Sequence, residues 1–262
     1  MTRTELNLAL LMNDTPMPEV KKHVGDYLQQ FDTVFKKAAD NEHLVLHWEA
    51  FDVVNKQEYP SMDDIDSGKY DAILLTGSKH NAHDNEPWIL KLVDFIKQVQ
   101  TNHVDKTKIV GICFGHQIIL RAAGGVTGKN EAGWELGWTQ LKLTEEGKKY
   151  LKTEKDLVRI NQFHQDHVSV LPNGYRSLAY TEGSTPNHIT VSNNQQCFTI
   201  QGHPEFSRDT MRTMLTVRRD TGVLDKDAAN RALDILANAP PEMEDVWFAE
   251  RALDFICERL HD

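Results

Sequence analysis

The sequence has no apolar stretch long enough to cross a bilayer as a helix. Its start, Met1-Thr2-Arg3-Thr4-Glu5-Leu6, lacks the apolar core of a secretory signal. It also lacks an excess of positive charge: 29 Lys and Arg stand against 39 Asp and Glu, a formal net charge of −10. That balance argues against binding nucleic acid or an anionic membrane through bulk charge. Cysteine is scarce. Cys113, Cys197 and Cys257 are odd in number and have no metal-ligand spacing. The count points away from a disulfide framework, toward free thiols in a reducing compartment. A cytoplasmic protein is the expectation. No internal repeat or low-complexity tract interrupts the 262 residues, and the nearest thing to a linker is Asn238-Ala239-Pro240-Pro241.

What is present alternates in character. Residues 6–12, 44–54, 72–75 and 109–112 are apolar runs that suit buried parallel strands. Between them, Val20, Val24, Leu28, Phe31, Val34 and Phe35 recur at helical spacing, as do the apolar positions from Trp88 to Val99. This alternation predicts a doubly wound, mostly parallel α/β sheet of flavodoxin-like type, with right-handed crossovers. From Trp134 onward the segments shorten. Residues 140–143, 158–162, 168–171, 177–180 and 188–192 read as an antiparallel extension. Helical spacing returns at Met211, Met214, Leu215 and Arg218. A last helix carries the stripe Val246, Ala249, Leu253, Ile256 and Leu260, which is core packing or, on a sharper reading, a homodimer face.

The chemistry starts at Gly111-Ile112-Cys113-Phe114-Gly115-His116-Gln117. An apolar run precedes it and a helical pattern follows, so Cys113 sits at the tip of a strand–turn–helix elbow. Small residues must flank such a turn, which accounts for Gly111 and Gly115. The positive end of the following helix would favour a thiolate. A partner base is available downstream in Gln201-Gly202-His203-Pro204-Glu205, after the strand-like Cys197-Phe198-Thr199-Ile200. His203 can take the thiol proton and Glu205 can hold its tautomer, with Pro204 keeping the two on one side of an extended segment. Gly77, Cys113 and His203 all fall at predicted strand ends, where ligands bind in such sheets. The backbone N–H of Phe114, next after the nucleophile, and that of Gly77 are candidate oxyanion donors. Gln117 lies one helical turn past Cys113. His164, Asp166 and His167 tempt a metal reading. On one strand, however, His164 and His167 would point to opposite faces, so no metal is expected. Trp138 reads as core, and Glu135 as close to the pocket.

The elbow and the Gly202-His203-Pro204-Glu205 element together resemble the class I glutamine amidotransferase family. Residues 72–78, Ala-Ile-Leu-Leu-Thr-Gly-Ser, resemble the strand and turn of that family's oxyanion hole. The resemblance covers about residues 6–206 and is strongest to stand-alone members such as gamma-glutamyl peptidases. The runs 76–84, 87–89 and 164–168 carry that finer likeness. Many amidotransferases have Gly-Gly-Pro where this chain has Gly77-Ser78-Lys79, a change that leaves the backbone donors in place. The resemblance implies a single domain of residues 1–262, with a helical extension from about 207. It implies a Cys113–His203–Glu205 triad that hydrolyses gamma-glutamyl amides through a thioester, without a cofactor. Gln117, Ser78 and Asp166 would then contact a small gamma-glutamyl substrate. Two alternatives stand beside it: a glutaminase subunit that passes ammonia to a separate synthase, and a catalytically silent binding module.

Overall fold

The computed structural model describes residues 3–240 and 242–260. Met1, Thr2 and Pro241 of the expected linker lie outside them. The chain opens with β1 (Glu5–Met12), α1 (Pro18–Val24) and α2 (Tyr27–Glu42). Asp26 starts α2 with a reciprocal cap: its carboxylate accepts from the Gln29 N–H, and the Gln29 side chain accepts from the Asp26 N–H. β2 (Val45–Asp52), α3 (Met62–Asp66), β3 (Ala72–Leu75), α4 (Pro87–Asn102), β4 (Lys108–Ile112) and α5 (Phe114–Ala122) complete the alternating half. The second half runs β5 (Val126–Lys129), β6 (Glu135–Leu143), α6 (Glu145–Tyr150), β7 (Leu157–His164), β8 (Asp166–Val170), β9 (Tyr175–Tyr180), β10 (Ile189–Ser192) and β11 (Cys197–Ile200). Three helices close it: α7 (Arg208–Asp220), α8 (Lys226–Ala237) and α9 (Asp245–Ile256).

The main sheet has the order β2-β1-β3-β4-β11-β10-β9-β6-β7. The first five strands are parallel, and the rest pair antiparallel. The predicted α/β class and the antiparallel extension are both present. Side-chain alternation divides the core into two layers. Leu8, Leu10, Ala72 and Leu74 face α2, α7 and α9, while Ala9, Leu11, Ile73 and Leu75 face α4 and α5. The α9 stripe is part of the first layer: Ala249, Leu253, Ile256 and Leu260 are buried within the chain. It therefore offers no free face for a dimer.

The structure corrects other expectations. Residues 168–171 do not join the main sheet: β8 pairs with β5 in a separate two-stranded sheet. Neither β5 nor α8 is among the expected elements: β5 is only four residues long, whereas α8 carries an apolar stripe, Ala229, Ala232, Leu233 and Leu236, that packs in the first layer. Trp138 is half-buried rather than core, and its indole N–H donates to the Ile235 carbonyl in α8.

Candidate active site

β3, β4 and β11 are central and parallel, so their carboxyl ends converge. β4 runs straight into Cys113, whose backbone is forced to φ 53°, ψ −104° before α5 begins. Close packing produces this elbow. A Cβ on Gly111 would stand 2.7 Å from the Gly115 carbonyl oxygen, and one on Gly115 would stand 2.6 Å from the Leu75 carbonyl oxygen. Both positions therefore demand glycine for space. The Gly115 N–H donates to the Thr76 carbonyl at 3.2 Å, tying the elbow to the β3 turn. Asn13 holds that turn from the other side: its N–H donates to Thr76 Oγ1 and its amide to the Thr76 carbonyl. Among the described residues, neither the Gly77 nor the Phe114 N–H is taken by a backbone acceptor. Both remain candidate oxyanion donors.

His203 is brought to the sulfur by β11. Its N–H donates to the Asn161 carbonyl, and Phe206 stacks on its ring at 4.1 Å. Pro204 and Glu205 form a turn, not the extended segment expected. The turn folds Glu205 back, so that Oε1 lies 2.8 Å from His203 Nδ1. Nε2 is then left for the thiol. Both side chains are buried, His203 at 4% exposure and Glu205 at 0%. Burial alone would lower the His203 pKa, but Cys113 and Glu205 outweigh it, and the value is pushed up to about 10. Gly77 packs against this pair, because a Cβ there would meet the His203 ring at 2.9 Å and Cys113 Cβ at 3.7 Å.

A cavity of about 580 Å³ opens on these groups. Cys113, Phe114, Gln117, Ser78, Asp166 and His203 line it, together with Tyr27, Met214 and Arg218. Glu205 lies behind His203. Ser78 Oγ accepts from the His80 N–H, and Asp166 Oδ2 lies 3.1 Å from His83 Nδ1. Burial raises the Asp166 carboxyl, with His83 and Lys129 opposing. The Gln117 amide donates to the Asp166 carbonyl and to Gln201 Oε1. The role of Gln201 had no sequence signal beyond its place before Gly202-His203.

His164 and His167 do not share a strand, because β7 ends at His164 and β8 begins at Asp166. His164 instead joins Glu135 and His188 in a buried cluster whose donor atoms lie within 4.8 Å of one another. Among the described residues, these three are the ones that could hold a metal. Here the Glu135 carboxylate already bonds both rings. Glu135 itself does not line the cavity.

A model of the class-I glutamine amidotransferase family matches residues 30–218. A glutamine amidotransferase-like protein of Schizosaccharomyces pombe is 36% identical over 234 residues, covering 87% of this chain and 91% of its own. Gamma-glutamyl peptidase 4 of Arabidopsis thaliana is 35% identical over 205 residues, 76% of either chain. A solved glutamine amidotransferase of Thermotoga maritima shares the fold, with a TM-score of 0.67 over 96% of both chains at 17% identity. This chain belongs to the class-I glutamine amidotransferase family.

Proposed function

We propose that the protein is a cysteine-nucleophile hydrolase of gamma-glutamyl amide bonds. The observation that carries this reading is the buried arrangement of Cys113 and His203 at one cavity, with Glu205 bonded to His203 behind it. The Cys113 thiolate attacks the amide carbonyl carbon, and the oxyanion forms against the Gly77 and Phe114 N–H groups. His203 gives its proton to the leaving nitrogen, and the C–N bond breaks to leave a gamma-glutamyl thioester. His203 then takes a proton from water, which attacks the thioester. Glutamate leaves and the thiol is restored. Glu205 keeps the imidazole oriented throughout.

The gamma-glutamyl peptidase relatives favour a peptide substrate over free glutamine, and the cavity has room beyond the glutamyl group. Purified protein, offered glutamine, gamma-glutamylcysteine and glutathione, should release glutamate from the peptides faster than from glutamine. A strong preference for glutamine would instead assign a glutaminase, and no release from any of the three would leave a binding module. Asp166 reads the substrate amine in this scheme. Asp166→Ala keeps the backbone carbonyl and should raise KM about tenfold, more than it lowers kcat, the effect of losing one charged hydrogen bond. An unchanged KM would remove Asp166 from that role.

A further inference from the structure

Gln201 directly precedes Gly202-His203 and is fully buried. Its side-chain amide bridges two groups of the site: Nε2 lies 3.6 Å from the Cys113 sulfur, and Oε1 accepts from Gln117 Nε2 at 3.0 Å. The two ends of an amide have nearly the same shape, so its partners must decide which end faces the sulfur. Here they do. The Asp166 main-chain carbonyl can only accept, and it lies 3.0 Å from the Gln117 amide. Gln117 must therefore turn its NH2 group toward that carbonyl. The second hydrogen of the same NH2 points at Gln201, which must answer with its oxygen. The NH2 end of Gln201 is then the end that faces sulfur. Flipping Gln117 would set its oxygen against the Asp166 carbonyl, and flipping Gln201 alone would set two donors face to face.

We propose that Gln201 is a catalytic residue of this site, an N–H donor to Cys113 that favours the thiolate and fixes its direction, with Gln117 as its orienting partner. The proposal rests on the reading of Cys113 as nucleophile. A donor at this position stabilises a sulfur anion more than a neutral thiol. The anchor of the chain is remote from the sulfur. The Asp166 carbonyl is shared with His164 Nδ1 at 3.1 Å, and His164 Nε2 lies 3.0 Å from Glu135 Oε2. A rigid buried cluster thus sets the direction of a bond at the nucleophile, independently of the His203–Glu205 pair.

The test reads the sulfur without any substrate, so it stays separate from the question of what is hydrolysed. Iodoacetamide alkylation of the full chain is followed across pH, with peptide mass mapping to isolate Cys113 from Cys197 and Cys257. Gln201→Met should slow alkylation of Cys113 about tenfold near neutral pH, the effect of losing one hydrogen bond that holds the direction of the reacting sulfur. Gln117→Glu should also slow the reaction, because Gln201 then turns its NH2 to the new carboxylate and its oxygen to the sulfur. In a Gln201→Met background that effect should largely disappear. An unchanged neutral-pH rate in Gln201→Met, with the wild-type circular dichroism spectrum retained, would overturn the proposal. If Gln201→Met fails to fold, an unchanged rate in Gln117→Glu overturns it equally. A Gln117→Glu effect that persists undiminished in the double variant would show simple charge repulsion and remove Gln117 as the orienting partner.

Discussion

Cys113→Ala should lower turnover of any gamma-glutamyl amide by roughly 10⁵-fold or more, the scale seen when a covalent nucleophile is removed. The fold should persist. Cys113 sits at φ 53°, a conformation that the surrounding turn imposes whichever L residue stands there. Near-wild-type activity in this variant would end the whole mechanism. The pH dependence offers a second check on the same pair. In the proposed mechanism His203 is the acid that protonates the leaving nitrogen, and its pKa is raised from 6.5 to about 10. Acylation should therefore fall on the alkaline side only as pH rises through about 10. The stability that this group contributes follows the same sign: it is fully present below 6.5 and lost as pH rises through about 10. Glu205→Gln removes one of the influences that raise the pKa, so the alkaline fall in acylation should move to lower pH. An alkaline limb that stays in place would deny Glu205 its orienting and charging role.

The elbow was legible because its constraints are local. Gly111, Cys113 and Gly115 are close in sequence, and the apolar runs of β1, β3 and β4 mark buried parallel strands. His203 and Glu205 were legible for the same reason, although the expected extended segment proved to be a turn at Pro204. What escaped the sequence is set by contacts between distant residues. β8 lies in its own sheet because it pairs with β5, and no periodicity in either segment reveals that partnership. The orientation of Gln201 depends on a carbonyl 35 positions earlier in the chain, that of Asp166. Glu135, His164 and His188 lie on three different strands or their edges and meet only after the antiparallel half has folded. The sequence reading set His164 and His167 on one strand, whereas the chain changes sheets at Gln165 and His164 meets Glu135 and His188 instead.

That cluster carries the second large effect. Glu135→Gln should cost about 3 kcal/mol at neutral pH, the cost of leaving a buried hydrogen bond to a charged group unmade. In a chain of this size the melting temperature should drop roughly 6–12 °C. One carboxylate oxygen, Glu135 Oε2, lies 3.0 Å from His164 Nε2 and 2.9 Å from His188 Nε2. An amide oxygen can serve only part of that demand, and its NH2 end would face whichever ring it displaced. Burial works against the Glu135 carboxylate, yet the two imidazole hydrogen bonds hold its pKa far below the ordinary 4.5. Burial also lowers the His188 pKa, so that ring donates from its neutral form. The sign of the pH effect follows. A carboxylate with a depressed pKa stabilises the fold above 4.5 and loses that contribution as pH falls below it. Wild type and variant should therefore differ most at neutral pH and converge in acid. Melting curves from neutral to acid pH would show this, and equal melting temperatures at neutral pH would mean that the cluster contributes nothing to stability. Activity should fall as well, because His164 lines the cavity and holds the Asp166 carbonyl on which Gln117 and Gln201 depend. Glu135 does not itself line the cavity but bonds His164, which does, so a loss of activity in folded Glu135→Gln is expected to act through His164.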